Sequence, residues 1–237
     1  VSTQALIGLS NQLLQLIDGK SRVQFVKQCE LIDVEIGDVI IEIDQEVEYV
    51  YCPTSCVITC EWEMTTSKQV LIALIGYEGV LCINQLLAIK SSAYRGVVRK
   101  SGQLWRITNH QFAAQMILTP ALETILKHYI FVAYGNAVQT SACNLFHLLE
   151  QRLARLLLMY GDRSQTNEFM ITHVLLAQML GVRRVGVTKA AGILQAKNLI
   201  EYHRGHITIV DNIGLSQIAC SCYQQDVDRY QNIMCKH

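Results

Sequence analysis

From residue 31 to residue 107 the apolar residues tend to recur at every second position, and after Thr119-Pro120 they recur at every third or fourth. A period of two puts alternate side chains on opposite faces of a strand. A period near 3.6 gathers them on one side of a helix, so the two stretches cannot form the same kind of layer. In the first, Val34, Ile36, Val39-Ile40-Ile41 and Ile43 alternate with acids. The segments "EYVYCPTSCVITCEWEM", "QVLIALIG", "AYRGVVRK" and "GQLWRIT" then follow at short intervals. Many short strands divided by turn residues predict an antiparallel sandwich or barrel of the jelly-roll type. The alternating acids read as its solvated face. Upstream, residues 6–28 carry a helical pattern through Leu13, Leu14, Leu16, Ile17, Val23 and Phe25-Val26.

At Thr119-Pro120 a capping residue meets a proline suited to a first helical turn. The helical pattern runs from there toward Tyr160, which would be about 60 Å if unbroken. Leu122, Ile125, Tyr129, Val132, Asn136, Gln139, Cys143 and Phe146 fall at alternating steps of three and four. That spacing predicts a seam between two copies of the helix, interrupted by the polar Asn136 and Gln139. A helix this long outruns a domain of this size, which favours a homodimer over packing within one domain.

The segment "LLAQMLGVRRVGVTKAAGILQ" at 175–195 carries the chemistry. Thr172 can cap a helix through Leu175, Leu176, Met179 and Leu180, and Gly181-Val182 makes the turn. A second helix starting near Arg183 buries Val187, Ala190, Ala191 and Leu194 on one face. Val185, Thr188, Lys189 and Gly192 point away from it. The stretch "LIEYHRGHITIV" then reads as a β-hairpin around Arg204-Gly205. Helix, tight turn, helix and hairpin make a winged helix-turn-helix. The second helix of such a motif presents its N-terminal residues to base edges in the major groove. Arg183, Arg184 and Lys189 can pair with guanine or phosphate, and Val185 can meet a thymine methyl. Thr172, Arg204 and His206 suit phosphate contact. The alternative is an exposed helical hairpin with ordinary surface arginines.

Charge supports this locally rather than globally. The 237-residue chain has 20 basic and 20 acidic residues. Five bases lie between Gly181 and Val210 against Glu201 alone, whereas eight acids and no base lie between Glu30 and Glu48. A local basic patch is what phosphate binding needs. No apolar run reaches the roughly 18 residues of a membrane span, and no secretory pattern opens the chain. The expectation is a soluble, cytoplasmic protein with no membrane partner. The sequence shows no Ser-His-Asp order, P-loop, dinucleotide fingerprint or HExxH motif, and calls for no catalytic residue and no cofactor. A β-roll enzyme or small-ligand domain with a cupin-type metal site is the competing class. Residues 31–107 contain no histidine to build it.

The order of a β-rich domain, a long helix and a winged helix resembles the CRP/FNR (catabolite activator) family of bacterial transcription regulators. The likeness is carried by "CNLFHLLEQRLARLLLM" at 143–159, by 175–211, and by "VYCPTS" and "ALIGYEG" in the β-region. It implies an α+β chain in three parts. Residues 1–118 would form a cyclic-nucleotide-binding-like jelly roll with N-terminal helices, and 119–147 the dimerisation helix. Residues 148–237 would form the winged helix-turn-helix domain with a helical tail. It further implies a homodimer on a palindromic double-stranded DNA site, RNA polymerase as a protein partner, and Arg184, Val185 and Lys189 as recognition positions. The middle position is a glutamate in cyclic-AMP-dependent members, so Val185 changes the preferred base.

The pocket departs from that pattern. The ribose-binding glutamate falls on Asn84, and the phosphate arginine falls near Ser92, with Arg95 three residues on. The adenine positions fall on Ala137-Val138, with Thr140-Ser141 a turn later. Asn84, Ser92, Arg95 and Thr140 are thus the candidate effector residues. Cyclic AMP is not expected to bind, because its phosphate loses its charge-assisted bonds. Two turn glycines of the family are replaced by Asp44 and Cys56, and aspartate tolerates positive φ better than cysteine. A cysteine-based redox or metal sensor is the sharper alternative, from Cys52, Cys56 and Cys60 or from Cys220-x-Cys222 with Cys235-x-His237. The spacing gives no preformed tetrahedral site, so the nine cysteines read as buried apolar residues and no metal is assigned. His110, His128 and His147 read as surface or helix-packing residues.

Overall fold

A computed structural model describes residues 11–63 and 69–235. The chain divides into two compact units. One comprises residues up to Cys60 together with Ile75–Phe131, and the other Glu61–Leu74 together with the chain from Val132 onward.

In the first unit, the helical N-terminal pattern becomes two short helices, α1 (Gln12–Gln15) and α2 (Gly19–Val26), each started by a side-chain cap from Asn11 or Asp18. Residues 6–10 of that pattern lie outside the described residues. Asn11 is fully buried. Its amide donates to the carbonyls of Pro53 and Gly79 at 2.8 and 2.9 Å, while its carbonyl oxygen accepts from Leu14 N–H. One side chain therefore caps α1 and ties it to the roll.

The strands come where the period of two puts them: β1 (Glu30–Val34), β2 (Val39–Ile41), β3 (Tyr49–Pro53), β4 (Val57–Glu63), β5 (Gln69–Ile75), β6 (Arg95–Lys100) and β7 (Gly102–Thr108). They form a three-stranded sheet ordered β1-β7-β3 and a four-stranded sheet ordered β2-β6-β4-β5. Leu104, Trp105 and Ile107 of β7 are buried with Val50 and Cys52 of β3. On the outer face, Arg106 opposite Glu30 pairs with it at 2.7 Å and lies over the Tyr49 ring. Asp44 takes φ +60, as its turn position requires, while Cys56 is not among the residues of positive φ. Burial pushes the Cys52 and Cys56 thiols up to about 12, as expected of apolar packing residues.

After α3 (Asn109–Leu118) the backbone bends at Thr119 into α4 (Pro120–Phe146). No single helix among the described residues is long and apolar enough to cross a membrane. The helical pattern does not run unbroken to Tyr160. It stops at Phe146 and restarts as α5 (Leu149–Ser164), where Leu148 N–H donates to the Gln151 side chain.

The expected dimer seam needs correction. Leu122, Tyr129, Val132, Gln139 and Cys143 are buried within their own chain. The polar interruptions have a specific cause in the second unit. Arg229 of the C-terminal helix α9 (Cys222–Met234) donates to Asn136 Oδ1 and, at 2.6 Å, to Gln139 Oε1. Gln139 Nε2 in turn donates to the carbonyl of Cys222 at 3.0 Å. These residues receive α9, and a periodicity argument cannot tell an intrachain partner from a second copy.

Beneath them lies a buried ion pair. Arg155 of α5 pairs with Asp226 of α9 at 2.6 Å, their side chains 6% and 3% exposed, and Arg229 reaches the other carboxylate oxygen at 3.2 Å. Asp226→Asn leaves Arg155 buried beside a neutral amide, so the variant should lose about 3–5 kcal/mol. Arg229→Gln should lose much less, since that side chain is partly solvated. Denaturant titration of the full chain measures both. Equal small losses would show that Asp226 does not hold this junction.

Candidate nucleic-acid interface

The winged segment is built as its sequence predicts. Thr172 Oγ1 accepts from Leu175 N–H and starts α6 (His173–Leu180). Gly181 closes that helix with φ +65, a conformation that penalises any side chain. The Val182 and Gly181 N–H groups bond back to the carbonyls of Ala177 and Gln178. Arg183 then stands in extended conformation at the cap of α7 (Arg184–Ala196) with no side-chain capping bond. A guanidinium offers no acceptor to the helix N–H groups, and the Arg183 side chain is exposed. Val187, Ala190, Ala191 and Leu194 are buried, while Arg183, Arg184, Val185, Thr188 and Lys189 are exposed. Val185 is 66% exposed, an apolar residue that the fold leaves in solvent.

The wing consists of β9 (Ile200–His203) and β10 (His206–Ile209), with β8 (Glu168–Met170) on the far side of β10. Its two-residue turn puts both Arg204 (φ +48) and Gly205 (φ +87) in the left-handed region. Such a turn matches the twist of a hairpin but favours Asn-Gly over Arg-Gly. Arg204 and His206 are exposed at the tip, and a Cβ placed on Gly205 would stand 3.7 Å from Thr172 Cγ2. The cap of α6 and the wing tip are thus neighbours. Thr172, Arg204 and His206 come together around the wing turn.

His173 was not singled out in the sequence. Its Nδ1 lies 3.1 Å from Thr188 Oγ1, and its ring stacks on Tyr202 of β9 at 4.0 Å. One imidazole therefore links the start of α6, the exposed face of α7 and the wing. Burial and the nearby Arg184 charge hold its pKa below the usual histidine value. The available signal was its place beside a capping threonine, with an aromatic residue on the hairpin, but only the fold brings those together. Thr188 also donates to the Arg184 carbonyl at 3.1 Å. Its hydroxyl is engaged within the protein on both sides. Arg152 of α5 completes the support, donating to the Leu180 carbonyl and to Asn144 Oδ1 at 2.5 and 2.8 Å.

The effector candidates are each engaged locally. The Asn84 amide donates to the carbonyls of Ile89 and Ser91, Ser92 Oγ donates to Tyr94 O, and Arg95 lies 3.3 Å from Glu42. Thr140, in the second unit, accepts from Arg155. The first unit has a cavity of about 310 Å³ lined by residues that include Glu42, Glu46, Glu48, Tyr49 and Tyr51. That acidic lining is unfavourable to a phosphate.

Helix, turn, helix and wing with an exposed basic first turn define a DNA-binding module of the winged-helix class. Residues 151–218 match the family model of the Crp-like helix-turn-helix domain. No curated protein sequence matches the chain. Solved structures do. A CRP/FNR-family transcriptional regulator from Eubacterium rectale aligns with TM-score 0.67 at 17% identity, over 87% of this chain and 96% of its own. FixK2 of Bradyrhizobium japonicum aligns with TM-score 0.69 at 12% identity, over 81% and 98%. A CRP/FNR-family regulator of Thermus thermophilus aligns with TM-score 0.66 at 20% identity, over 80% and 98%. The chain therefore carries a Crp-like helix-turn-helix domain within the fold of the CRP/FNR transcriptional regulators.

Gly192, on the solvent side of α7, has no atom within 4 Å of where its Cβ would stand. Gly192→Ala should raise stability by about 0.5–1 kcal/mol. If DNA lies against this face, operator affinity should fall in the same variant. A gain in both stability and affinity would move the interface elsewhere on the helix.

Proposed function

We propose that the chain is a homodimeric transcriptional regulator that reads a palindromic operator through α7. The observation that carries this reading is the exposed set Arg183, Arg184, Val185 and Lys189 on a helix whose opposite face is core. Arg184 reads a guanine, Val185 faces a thymine methyl, and Lys189, one turn on, reaches base or phosphate. Thr172, Arg204 and His206 hold the backbone. Such a regulator acts in the cytoplasm beside RNA polymerase, and the reading makes it a regulator rather than a catalyst. An effector at Asn84, Ser92 and Arg95 is not cyclic AMP, given that these side chains are bonded locally and Arg95 is paired with Glu42.

The experiment is binding to a randomised half-site library at two salt concentrations. Arg184→Ala should relax preference at one position per half-site, at a cost of about 1–3 kcal/mol. Arg204→Ala should weaken all sequences alike and reduce the salt slope by roughly one. Since Arg204 occupies a left-handed turn position, Arg204→Asn should keep the fold at equal or greater stability and still lose the phosphate contact. Unchanged sequence preference in Arg184→Ala would assign the readout to Arg183, Val185 or Lys189. No effect of any of these substitutions on DNA binding would defeat the reading.

The dimer surface is best supported on the side of α4 that its own chain leaves open. Phe131, Tyr134, Val138 and Leu145 are 53–78% exposed and, with Ala142, fall at steps of three and four. A contiguous apolar stripe on a helix of 27 residues suits a second copy related by a two-fold axis. Val138→Glu should yield monomers by light scattering and weaken operator binding, with helical content unchanged. A persisting dimer would place the interface off this stripe.

A further inference from the structure

The second unit holds a cluster that the DNA-binding reading does not use. Cys143 lies in the last full turn of α4, and His147, the residue just past its end, donates its backbone N–H to the Cys143 carbonyl at 3.2 Å. Cys220 lies in the link between α8 (Asn212–Ile218) and α9, and Cys222 is the first residue of α9. The three cysteines are 1%, 5% and 5% exposed, and His147 is half-buried. Cys143 Sγ lies 3.5 Å from Cys220 Sγ, and Cys222 Sγ lies 3.6 Å from His147 Nδ1. All four donor atoms lie within 4.8 Å of one another.

The two shortest of those distances are close to the edges of a coordination tetrahedron, and the rest need contract by no more than about 1 Å to reach them. Zinc bonds of about 2.3 Å to sulfur and about 2.0–2.1 Å to imidazole nitrogen imply edges near 3.8 Å between sulfurs and near 3.5 Å from sulfur to nitrogen. Buried cysteines acting only as small apolar residues give no reason for an imidazole nitrogen to point among them. The cysteines of the β-roll form no such group among the described residues. The sequence grouped Cys220 and Cys222 with Cys235 and His237. Cys235 is exposed, His237 lies outside the described residues, and the other two donors come from the end of α4 and the residue just after it, more than 70 positions away.

We infer that Cys143, His147, Cys220 and Cys222 form a structural zinc site that fastens the C-terminal helices to the end of α4. Three thiolates, a neutral imidazole and Zn²⁺ carry a net charge of minus one. Assembly from three thiols releases three protons to solvent. The surroundings suit that charge. Arg155 and Arg152 both lie close enough for their charge to be felt by Cys143 and Cys220. Zinc supplies no turnover here, because all four positions are taken by protein. It crosslinks residues that the chain separates widely, beside the Gln139–Cys222 bond that already joins the same elements.

The test uses the full chain, purified without chelator. The expected result is one zinc per chain by elemental mass spectrometry. Replacement by Co²⁺ should give the intense visible bands of a tetrahedral cobalt site with thiolate charge transfer. Cys222→Ser and His147→Ala should each weaken Co²⁺ binding by about two orders of magnitude or more, while Cys52→Ser and Cys235→Ser leave it unchanged. Because a ligand variant can also misfold, chelation of the unmodified protein supplies a second readout. Removal of the metal should lower the melting temperature, and added Zn²⁺ should restore it. Absence of a tetrahedral Co²⁺ spectrum in the reduced, folded protein would overturn the site. So would a disulfide between Cys143 and Cys220 in protein purified without reductant, seen as a mass lower by two hydrogens. An iron–sulfur chromophore that occupies the same cysteines would replace zinc and overturn the assignment. DNA binding need not be measured, so the outcome is independent of the operator reading.

Discussion

The carboxylate of Asp226 stands almost out of water, and three helices meet around it. It faces Arg155 from α5 and Arg229 from its own helix, and Arg229 carries the contact on to Asn136 and Gln139 of α4. An ion desolvated to this degree is costly unless every oxygen and nitrogen around it is engaged. The network meets that condition only when α4, α5 and α9 are all in place. Its contribution is therefore less a sum of separate bonds than a requirement that three helices assemble together. The helix-turn-helix stands on the same frame, because Arg152, one turn before Arg155, holds the last carbonyl of α6.

How far the sequence reached depended on whether a signal was local. The strands, the turn at Gly181, the Thr172 cap and the buried face of α7 are written in neighbouring residues, and the structure has them where period and capping put them. The Arg204-Gly205 hairpin is equally local. What failed required knowledge of a distant partner. Leu122, Tyr129, Val132, Gln139 and Cys143 had the spacing of an interhelical seam, and they do lie in a seam, but it closes on the same chain. Asn136 and Gln139 looked like interruptions because Arg229 is roughly ninety positions away. The break before α5 is invisible to periodicity, because no proline or glycine marks it, and only the family resemblance placed a boundary there, at residues 147 and 148.

The same logic separates the two kinds of candidate site. The proposed DNA contacts sit within some 35 positions and share one motif, so helix phase, a cap and a hairpin turn were enough to nominate them. His173 escaped because its role comes from stacking on Tyr202 and meeting Thr188, which only the folded wing allows. The cysteine and histidine cluster escaped for a stronger reason. Its donors fall into two pairs, Cys143 with His147 and Cys220 with Cys222, and neither pair alone has the form of a complete metal motif. Reading along the chain joined Cys220 and Cys222 to their sequence neighbours, whereas folding joins them to the end of α4.

Arg184, Val185 and Lys189 contribute almost nothing to the interior: their side chains cap no helix and fill no gap in the core. The residues that hold α7 in place, Val187, Ala190, Ala191 and Leu194, lie on its other side. Changes on the outer face are thus nearly neutral for folding and, on the proposed reading, fall on the residues that meet the bases. If α7 reads the operator as proposed, a lineage carrying this scaffold can exchange one set of target genes for another through single substitutions, without first acquiring extra stability to tolerate them. Thr188 is the exception, because its hydroxyl is shared with His173 and the Arg184 carbonyl, and it should drift more slowly than the residues around it.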